Sequence, residues 1–361
     1  MNPPASTLKE LLRERCSAHR DSVLLIERGR TWTYGDFQRE VARAAGALAR
    51  LGVKKGDKLA LLLDNCPEFL FIVFAAAELG AVFVPVNTAF AAEEVGYVLD
   101  HSEAKYLVAG AEYLPLLEKA RASCPRLEKI IVLGGAWGAY LGWDEFLAGA
   151  GEELSAVAVG ADDVASITYT SGTTDRPKGV MLSQYAYAFA PQKRAEALGW
   201  NARDRALVVL PLFHVNALCH TALALFSVGG SMALAKKFSA SRFWDEVRAT
   251  GATTASLMRT IPTILLSLPE KSDDRDNPLR NICALLPPEM HIKFEERFDL
   301  VVCGSYSLTE DILSVVGPPE KSRRKVGSCG LPAAPEVNKV KIVGDDGRER
   351  PRGKLGEIVK H

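Results

Sequence analysis

The chain has 361 residues, 48% of them hydrophobic, with 44 basic and 44 acidic side chains. That length predicts two or three structural units with ample apolar content for a large core. The balanced charge argues against a chain that coats nucleic acid, and seven scattered cysteines without a C-x-x-C pair argue against a disulfide framework and read as reduced thiols of a cytosolic chain.

The N-terminal stretch MNPPASTLKELLRERCSAHR is a charged helix candidate and not a signal peptide. From Thr33, the residues Phe37, Val41, Ala44, Leu48 and Leu51 recur at helical spacing, with Thr33 and Asp36 placed as a capping box and Gly52 as the stop. Residues 58–64 read as a buried strand. The most apolar segment, 69–86, is interrupted by Glu78, Gly80 and Pro85. It therefore predicts a buried helix over 67–79 and then a strand, not a membrane span. A helix near 92–99 and a strand over 106–110 follow.

The alternation resumes with a strand over 206–213, a helix around 219–228 and a strand over 231–238. Strands alternating with helices predict an α/β fold with mostly parallel sheets and helices on both faces. Beyond Gly327, short runs separated by Asp-Gly and Arg-Gly turns predict hairpins. The chain stops just after a strand-like run, which reads as a fragment ending inside a sheet.

Between two strand-like runs, 166–170 and 179–183, lies the loop YTSGTTDRPKGVMLS. A Walker loop is ruled out by spacing, because Gly172 is followed by Lys178 and then Gly179, with no Ser or Thr after the lysine. On composition alone the loop is either an anion-binding nest with one lysine as a point charge, or a flexible surface turn.

Other segments extend the pattern. The loop resembles the signature of the adenylate-forming superfamily, which includes acyl-CoA synthetases, luciferases and peptide-synthetase adenylation domains. PLFHVNAL (211–218) resembles its aromatic-His segment, SYSLTED (305–311) its YGxTE motif, and GSCGLPAAPEVNKVKIV (327–343) its GxxGxP stretch. TYGDF and LGVKKGDKLALLLDNCPEFL match its N-terminal texture. The lean segment LRNICALLPPEMHIKFEERFDL resembles that of the crotonobetaine/carnitine–CoA ligase branch, within the wider group of fatty acyl-CoA ligases, and PLFHVNALCHTALALFSVGGSMALAKKFSASRFWDEV also looks similar to that branch.

The resemblance implies an α/β fold, the large N-terminal domain of these enzymes. Two α/β subdomains with mostly parallel sheets would be joined by a small β-rich subdomain, a distorted barrel, with the C-terminal lid domain absent. The implied units are 1–190, including the phosphate loop at 169–179, then 191–315 with the acyl-site segment, then 316–361. The implied activity is an ATP-dependent, AMP-forming carboxylic acid–CoA ligase, poorly active as this portion alone. A carboxylate attacks the α-phosphorus of ATP and releases pyrophosphate; the thiol of coenzyme A then displaces AMP.

By position, Thr170, Ser171, Gly172, Thr173, Thr174, Lys178 and Gly179 would hold the triphosphate. Tyr306 would stack on adenine, Thr309 would contact the α-phosphate, Glu310 and Thr173 would hold Mg²⁺, and His214 would border the acyl pocket. Read singly, Tyr306 is a packed aromatic, Glu310 a surface acid and His214 a satisfied histidine at a strand end. The implied partners are ATP, a small carboxylic acid and coenzyme A in the cytoplasm, with no nucleic acid and no transmembrane segment; a homodimer is compatible.

Three positions depart from the family pattern. Asp175 replaces the second loop glycine, and two unit charges about 4 Å apart repel by roughly 4 kcal/mol at an intermediate dielectric. Asp tolerates turn geometry and Arg176 is adjacent, so the loop is expected to remain competent. Ser307 replaces the glycine of YGxTE, and the glycine-rich segment that cradles adenine is missing. Alternatives are a binding module with a degraded site, or a peptide-synthetase adenylation domain. The absence of an aspartate between Pro211 and Leu218 speaks against the latter.

Overall fold

The computed structural model describes residues 5–135, 138, 140–151, 156–170, 176–258 and 260–360. Helix α1 (Leu8–Ala18) leads into a hairpin of β1 (Val23–Glu27) and β2 (Arg30–Thr33), and α2 (Tyr34–Arg50) follows. The α2 N-terminus is the capping box that the sequence predicts: Thr33 Oγ1 accepts from the Asp36 N–H at 3.0 Å, and the Asp36 carboxylate accepts from the Thr33 N–H at 2.9 Å. Two otherwise orphaned donors are thereby satisfied.

The first sheet is built from β3 (Lys58–Leu62), β4 (Val82–Pro85), β5 (Tyr106–Gly110), β6 (Lys129–Leu133), β7 (Leu141–Gly142), β8 (Val164–Tyr169) and β9 (Gly179–Ser183). Its order is β7-β6-β5-β3-β4-β8-β9, parallel throughout except for the antiparallel β8–β9 pair. Helices α3 (Pro67–Leu79), α4 (Ala92–His101), α5 (Leu114–Ala120) and α6 (Trp143–Leu147) intervene. The two faces of β3 show the layering. Leu59 and Leu61 join the larger core with α1, α2 and α3, whereas Ala60 and Leu62 join a second core with α4 and α5. Successive strand residues point to opposite faces, and each face here is covered by helices. Between Glu68 and Glu78 near its ends, the α3 helix is apolar on every side and is buried accordingly.

After α7 (Gln184–Ala197) the second sheet begins with β10 (Arg205–Val208). A helical segment comprises α8 (Val215–Ala217), a π-type turn over Leu218–Leu223, and α9 (Ala224–Ser227). Then come β11 (Ser231–Leu234), α10 (Phe243–Thr250), β12 (Thr254–Ser256), α11 (Thr260–Ser267), β13 (Asn281–Cys283), α12 (Pro288–Phe298) and β14 (Val301–Cys303). The order β14-β13-β12-β10-β11-β1-β2 places the N-terminal hairpin on this sheet, with β1 parallel to β11. Strand β1 thus pairs with a strand some two hundred positions away, and β2 extends the sheet from it.

The predicted strands over 206–213 and 231–238 are shorter in the structure. Pro211 cannot donate to a ladder, so β10 ends ahead of it, and β11 ends before the exposed pair Lys236 and Lys237. The predicted helix near 219 starts earlier, at Val215. Past β14 the chain forms a small β-rich region. Strands β15 (Ser305–Tyr306), β16 (Val315–Val316) and β17 (Leu331–Pro332) make one antiparallel sheet, and β18 (Val340–Val343) pairs with β19 (Glu357–Lys360) in a hairpin. All seven cysteines are free.

A buried asparagine ties the two large sheets together. Asn65, just past β3, donates through Nδ2 to the carbonyls of Leu210 (2.9 Å) and Ala235 (3.0 Å), while its Oδ1 accepts from the Leu212 N–H (2.8 Å). These partners lie beyond the carboxyl ends of β10 and β11. The loop that leads to His214 is therefore fixed from the first sheet.

Candidate functional site

A cleft of about 470 Å³ opens at the carboxyl ends of β12, β13 and β14, and its walls include Asn216, Ser256, Met258, Leu285, Tyr306 and Ser307. Open parallel sheets commonly bind ligands in this position, because loops from several strands converge there. A larger groove of about 960 Å³ between α11 and α12 contains none of the motif residues.

The SYSLTED segment supplies one wall, and three buried cationic or imidazole side chains hold it from behind. Arg194, on α7 and fully buried, donates through Nη1 to the hydroxyls of Ser305 (2.8 Å) and Ser314 (3.1 Å), and through Nε to the His220 carbonyl (2.9 Å). His220 lies in the π-type turn. Its Nε2 is 2.8 Å from the carbonyl of Ile312, which can only accept, so Nε2 carries the proton. Burial foremost, and then the Arg194 charge, push its pKa down to about 3, so the ring is neutral and Nδ1 is an acceptor. The Ser307 hydroxyl, 3.4 Å away, then donates to Nδ1. Lys360 reaches in from β19 to pair with Asp311 at 2.5 Å and to donate to the Leu313 carbonyl. Asn338 adds bonds to the carbonyls of Leu313 (3.2 Å) and Ser314 (3.3 Å).

The Ser307 departure thus has a local structural reason: its hydroxyl answers a histidine. None of Arg194, His220, Asn338 or Lys360 is marked in the sequence. His220 sits inside the apolar run ALCHTALAL, where a core histidine and a functional one look alike.

Tyr306 lines the cleft half-buried. Thr309 is half-buried and Glu310 exposed on the bend that follows. Glu310 makes no ion pair among the described residues, and no group of three or more potential metal ligands occurs among them. His214 is the N-terminal cap of α8 rather than the end of a strand, because β10 has already ended. Its ring contacts Phe213 with centroids 4.5 Å apart and remains open to solvent on one side. The protein crowded around the rest of it lowers its pKa by desolvation.

At the edge of the first sheet, Thr170 and Lys178 close the loop. The Thr170 N–H donates to the Lys178 carbonyl (3.0 Å), and the Lys178 N–H donates to Thr170 Oγ1 (3.3 Å). The Lys178 side chain is exposed and forms no ion pair among the described residues. Gly179 pairs with Tyr169, and a Cβ there would come within 2.9 Å of Ile167 Cγ2, so any larger residue would force its neighbours to shift. Tyr169 donates or accepts through its OH at 2.8 Å from His101 Nδ1, and Arg176 lies over the Tyr97 ring at 5.2 Å. Ser171, Gly172, Thr173, Thr174 and Asp175 lie outside the described residues. No hydrogen bond among the described residues joins the 170–178 turn to the 305–311 segment.

Comparison with known proteins gives consistent results. Residues 12–361 match the AMP-binding enzyme family. A crotonobetaine/carnitine–CoA ligase of Salmonella paratyphi B is 33% identical over 340 residues, 91% of this chain and 65% of that protein. The Escherichia coli O17:K52:H18 ligase of the same name is 34% identical over 334 residues, 91% of this chain and 64% of that protein. The chain therefore spans about 65% of the length of these relatives. Among solved structures, anthranilate–CoA ligase AuaEII in complex with anthranoyl-AMP superposes with a TM-score of 0.91 at 25% identity, covering 99% of this chain and 70% of that one. The N-terminal domain of FACL13 from Mycobacterium tuberculosis gives 0.87 at 29% identity, covering 98% of this chain and 88% of that one.

Proposed function

The chain belongs to the AMP-binding enzyme family and has the fold of the N-terminal domain of adenylate-forming enzymes, and on that premise we propose that it is the nucleotide- and acyl-binding part of an ATP-dependent acid–CoA ligase. The observation that carries this reading is the cleft at the carboxyl ends of β12, β13 and β14, walled by Tyr306 and backed by buried side chains. Its partners in this reading are ATP, a small carboxylic acid and coenzyme A, and its location is the cytoplasm. Its units are those implied by the resemblance, 1–190, 191–315 and 316–361, with the N-terminal hairpin completing the second sheet.

The chemistry asks mainly for positioning and charge neutralisation around an in-line displacement at phosphorus. Tyr306 stacks on adenine, and Thr309 donates its hydroxyl to the α-phosphate. Lys178, whose ammonium has no protein anion to satisfy it among the described residues, meets the outer phosphates as a point charge. Thr170, Ser171, Gly172, Thr173, Thr174 and Gly179 form the rest of that cradle. His214, whose pKa desolvation lowers, borders the acid where its carboxylate meets the α-phosphorus.

The donor set fits Mg²⁺. An exposed carboxylate at Glu310 without a cationic partner, and no three-ligand protein cage among the described residues, suit an ion that usually binds one or two carboxylates together with substrate phosphates. Glu310 would hold it with Thr173, and the ion would supply charge neutralisation on the phosphate oxygens.

Calorimetry of Mg²⁺–ATP with this chain, beside an Asp175→Gly variant, tests the reading. Binding by both, within about threefold of each other, is expected if Asp175 faces away from the phosphates. Binding by the variant alone would show that Asp175 disables the site. Failure of AMP and ATP to bind either protein would sink the reading.

A further inference from the structure

The acyl side of the cleft has a distinctive chemical makeup. Ser256, almost fully buried at the end of β12, donates its hydroxyl to Asn216 Oδ1 at 2.6 Å. That bond fixes the amide plane. The Asn216 backbone is fixed as well, because its carbonyl accepts from Thr221 Oγ1 at 3.0 Å within the π-type turn. Asn216 lies two residues after His214 on a cleft wall, and its Nδ2 has no hydrogen-bond partner among the described residues. Asn216 therefore brings to the cleft wall a neutral amide whose oxygen is held by a buried serine.

The remaining lining of the cleft as a whole is apolar or hydroxylic. Met258, Leu285 and Leu286 contribute hydrocarbon and thioether surface, and Tyr306, assigned above to adenine, contributes the single aromatic ring among the described lining residues. No aspartate or glutamate lines the cleft among those residues. A quaternary ammonium cannot donate a hydrogen bond and is recognised by carboxylates or by cages of several aromatic rings. Burying such a cation against amide donors and aliphatic side chains would be unfavourable.

We infer that this chain takes an uncharged acyl group carrying a hydrogen-bond acceptor, with Asn216 as its specificity-determining donor, and that it discriminates against acids bearing a quaternary ammonium. The inference rests on the adenylation reading above. It assigns to the chain a substrate class different from that in the names of its crotonobetaine/carnitine relatives. The physical basis is asymmetric. An acceptor on the substrate satisfies a donor otherwise left to water, whereas a cation gains no counter-charge and loses hydration.

The test uses non-hydrolysable acyl-sulfamoyl adenosines bound to this chain, with valeroyl, levulinoyl and γ-trimethylammoniobutyroyl groups, and with AMP as a control. Levulinoyl, which carries an acceptor-only carbonyl, is expected to bind about fivefold tighter than valeroyl, as one net hydrogen bond allows. The cationic analogue is expected to bind at least about tenfold more weakly than levulinoyl. Asn216→Ala should erase the levulinoyl advantage while leaving valeroyl and AMP within about twofold, and Asn216→Asp should raise the affinity for the cationic analogue. Thermal unfolding of both variants verifies that they fold. Equal or tighter binding of the cationic analogue by the unmodified chain would overturn the inference alone, as would an Asn216→Ala variant that keeps the levulinoyl preference. Absence of binding by AMP and all three analogues would overturn the adenylation reading and this inference with it.

Discussion

His220 serves its loop by remaining unprotonated. Its folded-state pKa of about 3 lies well below the ordinary 6.5 because burial, and then Arg194, disfavour the imidazolium. Below pH 6.5 the unfolded chain binds a proton that the native state refuses, so stability contributed at this residue falls as pH drops from about 6.5 toward 3. Urea unfolding across that window should show the loss, with His220 contributing at most about 1.4 kcal/mol per pH unit. His220→Gln, which keeps a hydrogen-bonding side chain but cannot titrate there, should flatten the slope. An unchanged slope would mean that other groups carry the acid sensitivity. His214 and His291, also depressed chiefly by desolvation, act in the same direction, as do carboxylates held below their usual range such as Glu295 and Asp36, so a residual slope is expected. The motif residues Tyr306, Thr309 and Glu310 could be named from their order in the chain. The residues that hold them could not, because an arginine, a histidine and a lysine drawn from positions 194, 220 and 360 meet only after folding.

Among the elements, the turn after β3 and the start of β15 carry the most consequence. Asn65→Ala would leave the Leu212 N–H and the carbonyls of Leu210 and Ala235 without their buried partner. An unsatisfied buried group costs about 1–3 kcal/mol, so the variant should lose about 3 kcal/mol, read as a lower urea midpoint at constant slope. A loss below about 1 kcal/mol would show that water replaces the asparagine. Gly304 immediately precedes Ser305, and a Cβ there would lie 2.0 Å from the Ser328 carbonyl oxygen. Gly304→Ala should therefore displace the 305–311 segment, lower stability by about 2 kcal/mol and weaken AMP binding more than it weakens the fold. Calorimetry beside thermal unfolding separates the two effects. Helix α2 and its capping box, α3 from Pro67 to Leu79, and β5 from Tyr106 to Gly110 were legible because period, cap and breaker agree within each segment. The π-type turn at 218–223 was not, since an apolar run reads alike in any helix type.

Across the whole molecule, α3 is the best-enclosed of the helices of eight or more residues, with eleven of its thirteen residues buried. Hydrogen exchange should find its amides among the slowest, opening only with global unfolding, while the β18–β19 hairpin, with Ile358 and Val359 exposed, exchanges early. Fast exchange throughout α3 would show that the two large sheets separate independently. The sheets themselves are joined by features far apart in the chain. Tyr34 OH donates to the Gly230 carbonyl at 2.7 Å, and Phe74 meets Phe226 with ring centroids 4.9 Å apart.

By itself the sequence determined the alternation of strands and helices, the reduced cysteines, the loop at 169–179 and the order of motifs that places the chain in its family. These are local properties, set by periodicity, turn residues and spacing along the chain. Only the tertiary structure decided that residues 23–33 complete the second sheet, that Asn65 fixes the loop leading to His214, that Ser307 answers His220, and that Asn216, held by Ser256, lines a cleft in which no carboxylate occurs among the described lining residues. Each of these depends on contacts between distant segments. Hydrophobic patterning fixes which face of an element is buried, but not which partner it is buried against.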